Sequence, residues 1–189
     1  MSIAPKSFLE STARARVAGM LDPDSFTEFC RPRARYVSPH LPGLNMPVAF
    51  DDGVIVGEGR MDGRAVLIAA QEGAFMGGAV GEVHGAKITG LLQRALETRP
   101  DAVLLLLDSG GVRLHEANAG LIGVGEIQRA VFDARNAGIA VIVVIGGRNG
   151  CYGGTSIVAR SCDWIIASEE GRLSVSGPEV IEAVEGIEE

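Results

Sequence analysis

The chain has 189 residues, 47% of them hydrophobic, which is enough to bury one core and predicts a globular protein. Its 17 basic and 24 acidic residues give a formal net charge of −7, a balance that excludes nucleic acid and an anionic membrane as main partners. The three cysteines, Cys30, Cys151 and Cys162, form no CxxC pair, so the sequence predicts neither a disulfide framework nor a metal site.

Segments that enter or cross membranes leave strong apolar signals, and this sequence shows none of them. The first residues lack the apolar core of a secretory signal, and no apolar run approaches the roughly 20 residues of a membrane-spanning helix. We therefore expect a cytoplasmic protein that does not associate with a membrane.

The first 47 residues predict a helix followed by an irregular arm. Apolar residues between 6 and 20 fall on one helical face, which indicates an amphipathic helix over 6–20. Repeated prolines between 31 and 47 disfavour a helix or a central strand, so this stretch is interpreted as a structured arm. The sequence thus divides into a helix with a Pro/Arg-rich arm, residues 1–47, and a main domain, residues 48–189.

From Val48 onwards, strand and helix patterns alternate. Asp62-Gly63 between two apolar runs predicts a β-hairpin with a type I′ turn. Apolar residues at helical spacing predict a helix over 84–98, and Pro100 marks its end. Strands are then predicted at 102–107, 139–145 and 163–167, and helices near 118–136 and 154–161. Such alternation predicts right-handed βαβ units and a sheet covered by helices.

Two glycine-rich turns follow predicted buried strands. The first glycine turn, Asp108–Arg113, follows strand 102–107, and the second glycine turn, Gly150–Ser156, follows strand 139–145. Glycine lets the backbone approach a ligand closely and leaves its N–H groups accessible. On neighbouring strands, two such turns can aim two N–H donors at one oxygen atom. We therefore predict an oxyanion hole, with chemistry that passes through an enolate or a tetrahedral anion.

Three turns in a fixed order carry a family resemblance. Gly110–Arg113 with Glu116 is similar to the Gly-Gly-Ala-Arg turn of acyl-thioester carboxyltransferases, Gly153–Ser156 to their second glycine pair, and Ser176–Pro178 to their Gly-Pro turn before a helix. The similar stretch runs from about residue 73 to residue 181. Within that family the sequence resembles the beta subunits of biotin-independent malonate decarboxylases.

The resemblance implies an α/β protein of the crotonase/ClpP-like superfold, in which ββα units repeat and helices flank a mostly parallel sheet. Acetyl-CoA carboxyltransferase beta subunits of bacteria have a similar core but carry a four-cysteine zinc ribbon before it. Only Cys30 precedes the core here, which disfavours that identity. Related subunits continue well past the Gly-Pro turn, and the sequence leaves open whether the natural chain continues beyond Glu189.

The resemblance also implies an activity. A malonyl thioester on an acyl carrier protein would lose CO2, and the enolate would be held by one donor from Gly111 or Val112 and one from Gly153 or Gly154. The acyl group would arrive on a CoA-like prosthetic group of the carrier protein, so no cofactor is expected to bind the chain directly. A homologous gamma-type crotonase subunit is the expected partner that completes the site.

Substrate contacts are expected from four further residues of the glycine turns: Gly110, Arg113, Tyr152 and Thr155. For Arg113 two interpretations stay open, because its guanidinium either holds an anionic group of the substrate or pairs with Glu116 at i, i+3.

Three other functions stay open at this stage. One is a carboxyltransferase subunit of a biotin-dependent enzyme, and another is a scaffold whose catalytic half belongs to its partner. The third is a ClpP-like serine hydrolase, in which Ser156 would need Asp108 and either His84 or His115 to complete a triad. Cys151 has no evident base and is interpreted as an inert side chain.

Overall fold

A six-stranded sheet forms the centre of the protein, which a computed structural model describes over residues 7–185. The strands are β1 (Thr27–Phe29), β2 (Val54–Met61), β3 (Arg64–Gln71), β4 (Ala102–Leu107), β5 (Ala140–Ile145) and β6 (Trp164–Ala167). They lie side by side in chain order. β1, β2 and β3 pair antiparallel, whereas the strands from β3 to β6 pair parallel. This is the mostly parallel sheet that the resemblance implies.

Helices connect the parallel strands. Within the described residues they are α1 (Ala13–Met20), α2 (Glu82–Thr98), α3 (Asn118–Asn136), α4 (Gly154–Ser161) and α5 (Pro178–Glu185). Parallel neighbours need a crossover connection, and α2, α3 and α4 supply the three crossovers between β3 and β6. The α/β class predicted from the alternation of patterns is therefore confirmed.

Alternating side chains of β4 divide the apolar interior into two layers. Val103, Leu105 and Leu107 face a cluster to which α2, α3 and α4 contribute, whereas Leu104 and Leu106 face a cluster that includes α1. Because both faces of β4 are covered, the strand is a continuous apolar run rather than an alternation. Full burial of one such side chain contributes roughly 1.5–3 kcal/mol.

Past the carboxyl ends of the strands, the connections form a second, smaller set of parallel pairings. Isolated bridges join Val80 to Val112, Ser109 to Cys151 and Cys151 to Leu173. Each bridging segment lies between a sheet strand and the next helix, so a strand, a short extended segment with a single β-bridge and a helix recur along the chain. The predicted repeated ββα units are confirmed.

The N-terminal region differs from the prediction in two places. The helix predicted over 6–20 begins only at Ala13, because the Thr12 hydroxyl caps it by accepting the Ala15 N–H over 3.3 Å. Residue 6 lies outside the described residues. The sequence does not predict β1, whose three residues are too few to show an alternating pattern. The division at residue 47 stays a prediction.

The main-domain elements lie close to their predicted positions. Asp62 and Gly63 both have positive φ angles, 50° and 76°, as a type I′ turn requires. The helix predicted near 118–136 is α3. Across residues 7–185, no helix has the length and apolar character that are needed to cross a bilayer.

α2 and α3 cross where both helices present glycine. A Cβ built on Gly85 would lie 2.9 Å from the Gly123 Cα, a distance that real Cβ atoms do not show. Gly90, five residues further along α2, has no heavy atom within 4 Å of a built Cβ. Substituting each of the two glycines by alanine therefore separates the effect of close packing on stability from the effect of helix propensity.

We expect Gly85→Ala to lower the free energy of unfolding by about 1–3 kcal/mol, because the added methyl group forces two backbones apart. Gly90→Ala is the matched control and should raise it by about 0.5–1 kcal/mol, because alanine loses less backbone entropy in a helix. Urea denaturation followed by circular dichroism measures both. Equal effects of the two substitutions would contradict the packing of α2 on α3.

Candidate functional site

The two glycine turns lie at the carboxyl ends of neighbouring strands and contact each other. β4 and β5 pair in register up to Leu107 and Ile145, so the turns that follow them leave the sheet side by side. Gly111 and Gly153 have positive φ angles of 122° and 56°, conformations that favour glycine. A Cβ on Gly111 would also lie 3.3 Å from the Tyr152 carbonyl oxygen. Glycine therefore stands where the two backbones meet.

Backbone hydrogen bonds hold the two turns together. Ser109 donates to the Gly150 carbonyl over 2.8 Å, and Tyr152 donates to the Ser109 carbonyl over 2.9 Å. On the other side, the Gly110 N–H donates to the Gly77 carbonyl over 2.8 Å. The first glycine turn is thus fixed between the second glycine turn and the segment that precedes α2.

Two of the four predicted oxyanion donors already have acceptors within the protein. The Gly111 N–H donates to the Ser109 hydroxyl over 3.1 Å. The Gly153 N–H donates to the Val175 carbonyl over 3.0 Å. These two glycines therefore shape the turns, and their N–H groups are occupied in this structure.

The other two predicted donors, Val112 and Gly154, are free. Among residues 7–185, neither N–H forms a hydrogen bond with a protein acceptor. Val80 pairs with the Gly111 carbonyl and the Arg113 N–H, which directs the Val112 N–H away from Val80. Gly154 opens α4, where N–H groups have no acceptor inside the helix. The geometry thus narrows the candidate donors to one from each turn, and their role in catalysis stays a prediction.

Arg113 is buried at the end of the first glycine turn. Its Nη1 lies 3.1 Å from Asp52 Oδ1 and 2.7 Å from Glu116 Oε1, and its side chain is 1% exposed. The guanidinium also lies 5.3 Å from the centroid of the Phe75 ring. The ion pair with Glu116 that the spacing allows is therefore present, together with a second carboxylate that the sequence does not indicate. A contact between Arg113 and substrate stays a prediction.

The two carboxylates that share Arg113 are shifted in opposite directions. Burial raises the pKa of Asp52, and the charge of Arg113 only partly offsets that effect. Burial also disfavours charge on Glu116, but hydrogen bonds from the Glu82 N–H, the Ser38 hydroxyl and Arg113 outweigh it and lower its pKa. Glu116 is the carboxylate that stays charged most readily, so it is the principal counter-ion of Arg113.

His84 lies beside this cluster and is neutral. Its Nδ1 lies 3.1 Å from the Asp52 carbonyl, and its Nε2 lies 3.1 Å from Gln71 Nε2. These partners assign the proton to Nδ1, with Nε2 accepting from the Gln71 amide. Burial, followed by the nearby charge of Arg113, lowers the pKa of His84 from 6.5 to about 3. The side chain therefore serves as a hydrogen-bonding link between Asp52 and Gln71 and does not exchange protons near neutral pH.

The residues considered for a serine triad do not assemble. The Ser156 hydroxyl donates to the Gly153 carbonyl over 2.7 Å, and within the described residues it has no hydrogen bond with a histidine. Asp108 instead forms a buried ion pair with Arg16 over 2.9 Å. Burial raises the pKa of the Cys151 thiol to about 11, which fits an unreactive side chain.

The remaining predicted substrate contacts lie around the two turns. Gly110 is exposed and Tyr152 is half-buried. The Thr155 hydroxyl donates to the Tyr152 carbonyl over 2.6 Å and is buried at the start of α4. The structure therefore brings these three residues together at the contact between the turns, whereas the Arg113 side chain points into the protein.

Comparison with known proteins identifies the family of this chain. Residues 10–189 match the carboxyl transferase domain. The chain belongs to the carboxyl transferase domain family. Its fold is also that of malonate decarboxylase subunits. A chain of the Pseudomonas malonate decarboxylase hetero-tetramer in complex with malonate superposes with a TM-score of 0.91 and 45% identity, over 96% of this chain and 67% of that one.

Two curated relatives are named as carboxyltransferases, one for malonyl-S-ACP and one for methylmalonyl-CoA. Malonyl-S-ACP:biotin-protein carboxyltransferase MADC of Malonomonas rubra is 42% identical over 97% of this chain and 62% of its own length. The methylmalonyl-CoA carboxyltransferase 12S subunit of Propionibacterium freudenreichii subsp. shermanii is 34% identical over 94% of this chain and 33% of its own length. The carboxyl transferase domain described here thus spans 62% of the first relative and 33% of the second.

Several polar residues around the turns of this carboxyl transferase domain are not indicated by the sequence. They are Arg16, Asp52, Gln71 and Asn149. Only Arg16 carries a signal that could have been used, because an arginine between the buried residues Ala13 and Val17 of α1 needs a buried partner.

His84 gives this domain a specific dependence of stability on pH. Below pH 6.5 the unfolded side chain takes up a proton that the folded one rejects until about pH 3, so the free energy of unfolding falls as pH drops through this window. Between pH 5.5 and 4.5, we expect His84→Gln to reduce this slope by about 1.4 kcal/mol per pH unit. Urea melts at several pH values measure the slopes of the wild type and of the variant. Parallel slopes for His84→Gln and the wild type would show that His84 titrates normally.

Proposed function

We propose that this carboxyl transferase domain is part of a malonate decarboxylase, which converts a malonyl thioester on an acyl carrier protein into the acetyl thioester. The observation that carries the proposal is the pair of free N–H groups, Val112 and Gly154, on two glycine turns in contact. Similarity to the Pseudomonas malonate decarboxylase chain, at 45% identity, supports malonate as the source of the acyl group.

The chemistry needs an oxyanion site more than a strong base. When the bond between the carboxylate and the α-carbon breaks, CO2 leaves. The electron pair of that bond stays with the acetyl part and is delocalised onto the thioester carbonyl oxygen, which gives an enolate. Hydrogen bonds from Val112 and Gly154 would stabilise the negative oxygen, and the N-terminal end of α4 adds its positive dipole. A proton then adds to the α-carbon and gives the acetyl thioester.

A partner subunit is part of the proposal. Leu114 follows the first glycine turn and is 82% exposed, and Val175, which accepts the Gly153 N–H, is 69% exposed. Apolar side chains on both sides of a polar site fit a surface that another subunit covers. The Pseudomonas malonate decarboxylase structures are a hetero-dimer and a hetero-tetramer. We therefore propose a homologous gamma-type subunit as the second half of the site, with the acyl group delivered on the CoA-like arm of a carrier protein.

The name of a relative favours a second candidate function. MADC, 42% identical to this chain, is named for carboxyl transfer from malonyl-S-ACP to a biotin protein. In that reaction the same enolate forms, but the carboxyl group passes to biotin rather than leaving as free CO2. The two candidates therefore share the donors and differ in the acceptor.

Avidin distinguishes the two candidates, because it sequesters biotin. The complex that forms around this chain in its own cells would be purified and given a malonyl-thioester carrier protein, with CO2 and acetyl thioester measured together. We expect equal amounts of both products, and the same rate with and without avidin. Loss of acetyl-thioester formation on adding avidin would assign the chain to biotin-dependent carboxyl transfer.

Gly154→Pro tests the second donor, since proline has no N–H and is tolerated in the first helical position. The substitution also adds a Cβ that would lie 2.8 Å from Val124 Cγ1. Gly154→Ala adds the same atom but keeps the N–H, so it is the matched control. We expect kcat of Gly154→Pro to fall roughly 100-fold below that of Gly154→Ala, the effect of losing one oxyanion donor. Equal kcat values would remove Gly154 from the site.

A further inference from the structure

We propose that Asp108 is a positioning residue that fixes the two glycine turns relative to each other, and that Arg16 of α1 holds it in place. This inference rests on the proposed function, because it assigns the pair to the same site. Asp108 begins the first glycine turn directly after β4 and is 3% exposed. Neither residue supplies a candidate oxyanion donor, so both would act through the backbone of the turns.

The Asp108 carboxylate joins separate parts of the chain. Its Oδ1 accepts the Asn149 backbone N–H over 2.8 Å and the Asn149 side-chain amide over 3.2 Å. Its Oδ2 accepts from Arg16 Nη1 over 2.9 Å. Asn149 directly precedes the second glycine turn. One residue therefore begins the first glycine turn with its backbone and holds the entry of the second with its side chain.

Close packing leaves this carboxylate one position. A Cβ built on Gly147 or on Gly73 would overlap its atoms. The Asp108 backbone N–H is fixed as well, because it donates to Gln71 Oε1 over 3.0 Å. A displacement of Asp108 is therefore passed on to the backbone of both turns.

Arg16 is held in position for this partner. Its Nε donates to the Phe8 carbonyl over 3.0 Å, and its guanidinium lies 4.8 Å from the centroid of the Phe8 ring. The side chains of Arg16 and Asp108 are 3% and 4% exposed. A buried charge that loses its partner is strongly unfavourable, so the pair links the docking of α1 to the position of Asp108.

The opposite end of the sheet offers a matched control. The Asp163 carboxylate accepts from Arg135 Nε over 2.7 Å and from the Val141 N–H over 2.9 Å. It thus accepts from an arginine and from a backbone N–H, as Asp108 does, but its side chain is 27% exposed whereas that of Asp108 is 4% exposed. Asp163 directly precedes β6, at the amino ends of the parallel strands, whereas the glycine turns follow their carboxyl ends.

The first test separates kcat from KM in the complex that contains the full chain. Asp108→Asn keeps the shape of the side chain but loses the charge that holds Arg16. We expect its kcat for CO2 release from malonyl-thioester carrier protein to fall roughly 10–100-fold, with KM within about threefold of the wild type, because misplaced donors weaken transition-state binding. Asp163→Asn should keep kcat within about twofold. Equal kcat values for the two variants would overturn the proposal.

The second test does not depend on activity. Hydrogen–deuterium exchange followed by mass spectrometry would compare the full chains of both variants with the wild type. We expect exchange to rise roughly tenfold in the two glycine turns of Asp108→Asn and not in those of Asp163→Asn. Arg16→Lys keeps the positive charge but loses the planar fork, so it should loosen the same turns less and serves if Asp108→Asn fails to fold.

The two readouts keep the two proposals apart. If the wild-type complex has no malonyl-thioester turnover but exchange rises only in the turns, the proposed function fails and the positioning role stands. Unchanged exchange in both turns overturns the positioning role, whatever the activity. Exchange that rises uniformly through the sheet overturns it as well, because Asp108 would then contribute to overall stability alone.

Discussion

The close approach of Gly111 and Gly153 is the constraint on which the rest of the site depends. Parallel pairing of β4 and β5 puts the two turns side by side, and both glycines adopt positive φ angles, 122° and 56°, that would strain any other residue. In this arrangement the N–H groups of both glycines are bonded inside the protein, whereas those of Val112 and Gly154 are free. Preorganised stabilisation of a developing anion requires unpaired donors on a backbone that is already fixed in position. The two glycine turns provide such donors.

Buried charges anchor the first glycine turn at both ends. Asp108 begins the turn in an ion pair with Arg16, and Arg113 ends it between Asp52 and Glu116. Such pairs add little net stability, because desolvation offsets most of their attraction, yet breaking one leaves a costly buried charge. We therefore interpret them as devices that penalise other conformations of the turn. The position of the turn is then set by residues from α1 and from the loop before β2, far away in sequence.

Local patterns account for what the sequence predicts and also for what it misses. α3 and the parallel strands are predicted because each packs on the core and therefore has apolar residues at regular positions over many residues. The glycine turns are predicted because their composition is unusual after a buried strand. Arg16 and Asp108 are 92 positions apart and Arg113 and Asp52 are 61 apart, so no local pattern links them. The sequence therefore predicts where the site lies, and the fold is needed to show which side chains hold it and which N–H groups stay free.

Decarboxylation and carboxyl transfer would use the two glycine turns in the same way. Both reactions need the same enolate, and relatives named for each are similarly close, at 45% and 42% identity. The difference lies in where the carboxyl group goes after its bond breaks, which depends on the groups that face the turns. Exposed Leu114 and Val175 flank the turns on this chain, so a partner surface that covers them would control access of biotin, water and a proton donor. If the proposed function holds, the domain would supply the enolate chemistry and its partner would select the reaction.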